Sequence, residues 1–496
     1  MPKSRASDRI AAHVGMSAPE TPKYLLANHF LLEYFEQTSK ELVPYSYTLF
    51  EKKGVLGTQD NQNKKKLEEA FNRFLNRYLG DETFHNENKR LKEDHHFYFP
   101  LTPDMLKEGK QTLRHVLFEL QNLDEDFRFE KTQQDLESFL FTNPSGINDI
   151  WNILLQKNDI THLRKRYFKQ DNSDFWNMLK PAEFKRMREL GKRLNEDLDV
   201  LLTHEYFTKL DFYRKYQYLS ILLTSYIIQY ILVRKGGNTC ILCKGRPLDD
   251  RLNGDIHRAC CFSYTRLREL FPDLLKAFYK EALETSVGKE KFLHLSAERD
   301  SIWIQGKSFD EIMKEISGRN QQSLKKITYN SLLQGFAMAD GEQKDMKIDE
   351  FVLRFTDLIG SKQGSSLQKM SSILSTSGKQ IDMVYPKTSV NSKYFAMSEG
   401  LAEFYVRLYL ARRNLQYDYL DNFLDDLSAR YYIIIAKTGN SEKYLKAIKP
   451  LLKAQELTKN KLAFLDTLNS GNCLIKLSDS GFVVTLPEEK GGFKLI

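Results

Sequence analysis

Cysteine is scarce in this sequence. There are five in 496 residues: Cys473 stands alone, and Cys240, Cys243, Cys260 and Cys261 fall within a span of 22. Disulfide scaffolds are short and cysteine-dense, so that class is excluded. Clustering in a long chain points instead to metal in a reducing compartment. The opening stretch, MPKSRASDRIAAHVGMSAPE, holds no apolar run of signal-peptide length and reads as a short basic lead-in. Long uncharged runs are also rare. The longest, YQYLSILLTSYIIQYILV at 216–233, is interrupted by Gln217, Ser220, Thr224, Ser225 and Gln229 and bracketed by Lys215 and Arg234. It is expected to be a buried core helix, not a membrane span, with the protein cytoplasmic and without a membrane partner. No G-x4-G-K-[ST], G-x-S-x-G or G-x-G-x-x-G is present, and no internal repeat. ATP hydrolysis, serine-hydrolase and dinucleotide chemistry therefore have no support.

What is present is a globular balance, 41% hydrophobic and 28% charged, with 12% aromatics to build cores. The length suggests about two to four domains. Net charge is +8, a mild basic bias compatible with nucleic acid and equally with a solvated basic surface. Helical periodicity dominates, in KKLEEAFNRFLNRYL (65–79), LRHVLFELQNL (113–123) and PAEFKRMRELGKRLNEDLDVLL (181–202), where Pro181 suits a first turn. The polar stretch GVLGTQDNQNKKK (54–66) reads as a connector. HLRKRYFKQ (162–170) and FKRMRELGKR (184–193) interleave basic and aromatic residues, a pattern shared by nucleic-acid contacts and by solvated helix faces. His95 and His96 read as exposed loop residues, and DGEQKDMKIDEF (340–351) as a surface turn with a superficial likeness to a calcium loop.

The densest chemistry is the pattern Cys-x2-Cys-x13-His-x2-Cys made by Cys240, Cys243, His257 and Cys260. Zinc takes four such ligands in a tetrahedron. Cys240-Ile-Leu-Cys243-Lys-Gly has the form of a zinc knuckle, with Gly245 easing the turn, and a three-residue separation sets His257 and Cys260 on one face of a helix. Cys261 is the rival fourth ligand. Knuckle, connector and helix together resemble a treble-clef zinc finger over 238–285. Four protein ligands leave no open position for water, so the Zn2+ is expected to be structural. The deaminase pattern is absent. A nuclease of the HNH type would need a further histidine, and the next one downstream is His294. Lys244, Arg246, Arg258, Arg266 and Arg268 ring the cluster, with Arg251, and are candidates for phosphate contact. Pairing with Asp249, Asp250 and Asp255, or plain solvation, is the competing reading.

After a Ser- and Gly-rich stretch at 361–390, expected to be a linker or mobile loop, the C-terminal part has its own order of elements. MSEGLAEFYVRLYLARR and LDNFLDDLSARY read as helices, YYIIIAK as a strand, KAIKPLLKAQELTKNKLAFLDTLNS as one or two helices, and CLIKLSD–SG–FVVTLP as a hairpin. Helices followed by a terminal hairpin suggest a winged helix-turn-helix, with Lys453, Lys459 and Lys461 on the recognition helix and Lys476 on the wing. A small α+β packing module with the same order is the alternative.

The run from FAMSEGLAEFYVRLYLA through LDNFLDDLSARYYIIIA to NKLAFLDTLNSGNCLIKLSDSGFVV, with its Leu477-Ser478-Asp479 segment, resembles the tail of DptG-like accessory subunits of bacterial anti-phage systems. These systems carry out phosphorothioation-dependent restriction and related methylation-associated defence. The resemblance covers about a fifth of the chain and carries no catalytic motif. It implies a non-catalytic, DNA-associated scaffold or recognition subunit working with ATPase or nuclease partners. A metal-dependent nuclease and a protein-interaction scaffold without DNA contact are the alternatives. The expected fold class is mainly α and multi-domain: a helical region at 1–200, a helical domain at 201–360 containing the finger, the linker, and a winged-helix-like module at 391–496.

Overall fold

The computed structural model describes residues 30, 113–141, 179, 181–210, 212–236, 239–252, 254–287, 292–296, 303–304, 307–308, 343–361, 372–387, 392–445, 452–477 and 481–487. The expected helix at 65–79, the connector at 54–66, His95, His96 and the basic stretch at 162–170 lie outside them. Of the described residues 69% are helical, so the chain is mainly α with small sheets.

The N-terminal part of the described fold is a helical stack. Helices α1 (Leu113–Asn122) and α2 (Phe129–Phe141) pack on α3 (Pro181–Thr203), which opens on Pro181 as expected. A Cβ on Gly191 of α3 would sit 1.9 Å from the Leu120 carbonyl oxygen of α1, so the absent side chain sets how closely the two helices cross. A single turn, α4 (Glu205–Thr208), leads to α5 (Phe212–Lys235). By length and composition α5 could cross a bilayer, but 94% of its apolar window is buried inside the protein. Three of its interrupting polar residues have protein partners, while the Thr224 hydroxyl is buried with none. Gln229 Nε2 donates to the Tyr431 carbonyl at 2.6 Å, Ser225 lies 3.1 Å from the Tyr405 hydroxyl that donates to it, and Ser220 bonds back to the Tyr216 carbonyl.

Strand β1 (Ile241–Lys244) follows, then the 3-10 turn Asp250–Leu252, α6 (Asp255–Arg268) and α7 (Leu270–Val287). A satellite sheet comes next, in the order β4-β3-β2-β5: β2 (Phe292–Ser296), β3 (Trp303–Ile304), β4 (Lys307–Ser308) and β5 (Gln343–Lys347). Helix α8 (Ile348–Ser361) continues directly from β5 and packs on α7. Where it is described, from Gln343 on, the stretch expected to be a surface turn at 340–351 is a strand joined to a helix.

The 361–390 stretch is not a linker where it is described. Residues 372–387 contain α9 (Ile373–Gln380) and β6 (Val384–Tyr385), and Gly378 packs against Val384. Then come β7 (Tyr394–Ala396), α10 (Glu399–Arg413), β8 (Tyr417–Tyr419), α11 (Leu420–Arg430), β9 (Ile433–Ile434), the turn α12 (Glu442–Leu445), α13 (Ala454–Ser470), β10 (Leu474–Lys476) and β11 (Phe482–Thr485). Ser398 caps α10 by accepting from the Leu401 amide, and Asn414 closes it in the left-handed conformation.

Two sheets organise this half. The first runs β6-β7-β1-β9, with β1 parallel to both β7 and β9 and β6 antiparallel at the edge. Cys243 pairs with Phe395 and Ile241 with Ile433. The second is the antiparallel order β10-β11-β8, in which the expected hairpin pairs Leu474 with Val484 and the edge strand β8 adds to it. Strand β1 belongs by sequence to the 201–360 region but lies between strands of the 391–496 region. One core runs from α3 and α5 through to α10 and β11.

Candidate functional site

Strand geometry decides where the cysteines go. Successive side chains of a strand alternate between its faces. Cys240 and Leu242 meet Ile256, Ala259 and Cys260 of α6, whereas Ile241 and Cys243 face the main core. Cys240 lies just before β1 and Cys243 within it, and both thiols act electrostatically on Cys260. Ser263 holds α6 against this strand, accepting from the Leu242 amide at 3.1 Å and donating to the Cys240 carbonyl at 2.8 Å.

Burial keeps these thiols protonated. It pushes Cys240 up to about 12, against the nearby charge of Arg266, and carries Cys243 and Cys260 higher still. Zinc displaces the proton of a ligating thiol, so any metal binding by these thiols would strengthen with rising pH. Among the described residues, no group of three or more His, Cys, Asp or Glu side chains is placed to hold a metal ion. Within the segment expected to be a finger, the described residues include the parallel strand β1 with α6 packed on it.

His257 does meet a cysteine, the one set aside in favour of Cys260. Its Nε2 lies 3.6 Å from Cys261 Sγ, one helical turn on. The ring stands edge-on to Tyr394 at 4.7 Å, and burial, followed by the charge of Lys244, holds the imidazole below its usual pKa. The Lys244 ammonium lies 5.3 Å above the same Tyr394 ring, and the Tyr394 hydroxyl donates to the Pro247 carbonyl at 2.5 Å. Lys244 is 3% exposed, so it is a buried packing cation and not a surface phosphate contact.

The other expected phosphate contacts divide. Arg246 and Arg268 are exposed. Arg258 is exposed but paired with Asp255 at 2.6 Å, and Arg266 is half-buried toward Cys240. Arg251 is held by Asp249 at 2.6 Å and Asp466 at 3.2 Å. Ion pairing therefore accounts for part of the ring. Phe262 stands exposed on the outer face of α6, one turn from Arg258 and one from Arg266.

The second feature is centred on α13. The Asn460 side chain receives the Gly245 amide at 2.8 Å and donates to the carbonyls of Cys243 and Ile435, each at 2.8 Å. Thr467 donates to the Gly245 carbonyl at 2.8 Å. A Cβ on Gly245 would lie 2.3 Å from the Asn460 carbonyl oxygen, so glycine is required here for contact with α13 and not for a metal knuckle. The opposite face of α13 is exposed through Gln455, Thr458, Lys459, Leu462, Asp466 and Asn469, at helical spacing. It floors a groove of about 590 Å3, walled by the Asp249–Leu252 connector on one side and by Leu474, Lys476 and Phe482 of the hairpin on the other. The sequence marked lysines on this helix. It missed the amide and hydroxyl tips beside them, which only the burial of Leu457, Asn460, Phe464 and Leu468 on the other face reveals.

Comparison of the chain with protein-family models, with curated proteins and with solved structures finds no match.

Proposed function

We propose that the protein is a DNA-associated, non-catalytic recognition subunit whose 399–487 segment is a winged helix-turn-helix with α13 as its recognition helix. The observation that carries this is the strand order β10-β11-β8 taken with the element order α10, β8, α11, α13, β10, β11. A winged helix has this plan: helix, short strand, two helices, then a hairpin whose last strand pairs with the first. Strand β9 and turn α12, between α11 and α13, are an insertion that joins the module to the parallel sheet. The exposed tips of Gln455, Thr458, Lys459 and Asn469 are of the kinds that read base edges and phosphates in a major groove. Lys476 is exposed at the wing.

The biological setting rests on the resemblance of the C-terminal run to DptG-like subunits. It supports a bacterial anti-phage complex in which ATPase or nuclease partners supply the chemistry, in the cytoplasm. Nothing in this reading requires zinc.

The test is duplex binding by the full chain across a salt series. Binding is expected to fall steeply with salt. Lys459→Ala with Asn469→Ala should weaken it by roughly tenfold while leaving thermal stability unchanged, since both side chains are exposed. Charge reversal at Arg266 and Arg268 should also weaken it. Absence of duplex binding at low salt would sink the proposal. Cleavage of plasmid by the purified protein with magnesium or manganese would replace it with a nuclease reading.

A further inference from the structure

The basic stretch at 184–193 lies on α3, and its last residue belongs to a row of alternating cations and rings. The Arg193 guanidinium stands over the Tyr432 ring at 5.5 Å. Tyr432 meets Tyr444 edge-on, with ring centroids 5.5 Å apart. The Lys443 ammonium lies over the Tyr444 ring at 4.7 Å. The row thus joins α3, the residue ahead of β9, and α12. Its members are held in place. Arg193 Nη1 donates to the Arg430 carbonyl at 2.8 Å and to the Tyr432 hydroxyl at 3.4 Å. Tyr444 is buried. Tyr432 has a φ of +56°, a left-handed conformation that bulky residues rarely adopt. That turn lets Tyr431 reach Asp197 in the core while Tyr432 stays half-buried beside Arg193. A ring positions a cation without cancelling its charge. Among the described residues neither Arg193 nor Lys443 pairs with a carboxylate, although Glu189 and Glu442 are close in sequence. Arg193 Nε and Nη2 make no hydrogen bond among those residues either. Lys185 and Lys192, exposed on α3, are also unpaired there.

We propose that Arg193 and Lys443 contact two phosphates of a nucleic-acid backbone that runs beside α13. Fixed cations without acidic partners suit a polymer that carries one negative charge per nucleotide. The free Nε and Nη2 of Arg193 form the fork that grips two phosphate oxygens. Tyr444 and Leu445 of α12 share a buried cluster with Leu457 and Ala463 of α13, so the row adjoins that helix. In a helix-turn-helix the element ahead of the recognition helix crosses the backbone, and α12 precedes α13 in the chain. Contacts of this kind set the register of a duplex and carry no sequence information. The inference rests on the DNA-associated reading and adds to it a surface, on α3, that lies outside the winged helix.

The probes are two short DNA duplexes of different sequence, applied to the full chain across a salt series. Arg193→Gln with Lys443→Gln is expected to weaken binding to both duplexes equally, by roughly tenfold, and to lower the slope of log affinity against log salt by about two. Lys443→Gln alone, at an exposed side chain, should lower the slope by about one with an unchanged Tm, which separates the effect from any folding defect caused at Arg193. Lys443→Arg should restore the wild-type slope. A loss confined to one of the two sequences would make these base contacts and overturns the phosphate assignment. Unchanged slopes in Lys443→Gln and in the pair, while Lys459→Ala with Asn469→Ala weakens binding, overturn this inference and leave the winged-helix reading standing. A lower slope here with no effect from the α13 changes removes α13 as the recognition helix and keeps the backbone contact. A wild type that binds neither duplex at low salt overturns both.

Discussion

Asn460 satisfies three backbone groups with one side-chain amide, and it does so with no exposure to water. Asn460→Ala would leave those groups buried and unpaired, at a cost of about 2–4 kcal/mol, read as a lower urea midpoint with an unchanged slope. Cys240 carries a different lesson. As a buried neutral thiol against α6 it behaves as a small apolar residue. Cys240→Ser should cost about 1–3 kcal/mol, by placing a hydroxyl where packing is apolar, and leave metal content at the wild-type level. Loss of one zinc per chain in that variant would reinstate the metal reading. Local spacing made Cys240, Cys243, His257 and Cys260 look like ligands. The strand that carries Cys243 could not be seen, because Ile241–Lys244 is buried on both faces and shows no alternation. Gly245 was legible as a position needing glycine. The reason, an approaching helix from the far end of the chain, was not.

At the scale of elements, α3, α5, α10 and α11 are tied through one carboxylate. Asp197 of α3 is fully buried and accepts from the hydroxyls of Tyr226 at 2.7 Å and Tyr431 at 2.6 Å, from Arg430 at 2.7 Å and from Arg412 at 3.3 Å. Asp426 and Glu196 complete the pairing of the two arginines. Asp197→Ala would strand two guanidiniums in a low-dielectric setting, and a loss of about 3–5 kcal/mol is expected in chemical denaturation. Asp197→Asn, which keeps acceptor capacity but not charge, should fall between that variant and wild type. The elements themselves were largely legible. Pro181 starts α3, and the polar breaks in the 216–233 run marked α5 as a core helix. The hairpin at β10 and β11 was visible because its signal is local. Strand β8, three residues with two exposed tyrosines, had no pattern to read, and it is the strand that completes the three-stranded order.

For the molecule as a whole, the expected C-terminal module shares its parallel sheet with a strand from outside it. Its strands β7 and β9 do not touch each other; each pairs with β1, which comes from far upstream. A fragment of residues 391–496 expressed alone is expected to lack a cooperative thermal transition, as followed by near-ultraviolet circular dichroism. A sharp transition in that fragment would show that the module stands without its central strand. Charge and periodicity give no hint of such pairing, because sequence patterns report which face of an element is buried and not what buries it.

The same arrangement has a consequence for how the protein is made. Asn460 reaches the Cys243 carbonyl across 217 residues of chain. At a synthesis rate of about 5–20 residues per second, β1 waits roughly ten to forty seconds on the ribosome before its last support is translated. Through that interval α5, apolar on every side, has been made while much of its covering has not. Helix α5 and strand β1 therefore depend on the last quarter of the chain, and their survival in the cell turns on what shields them until translation ends.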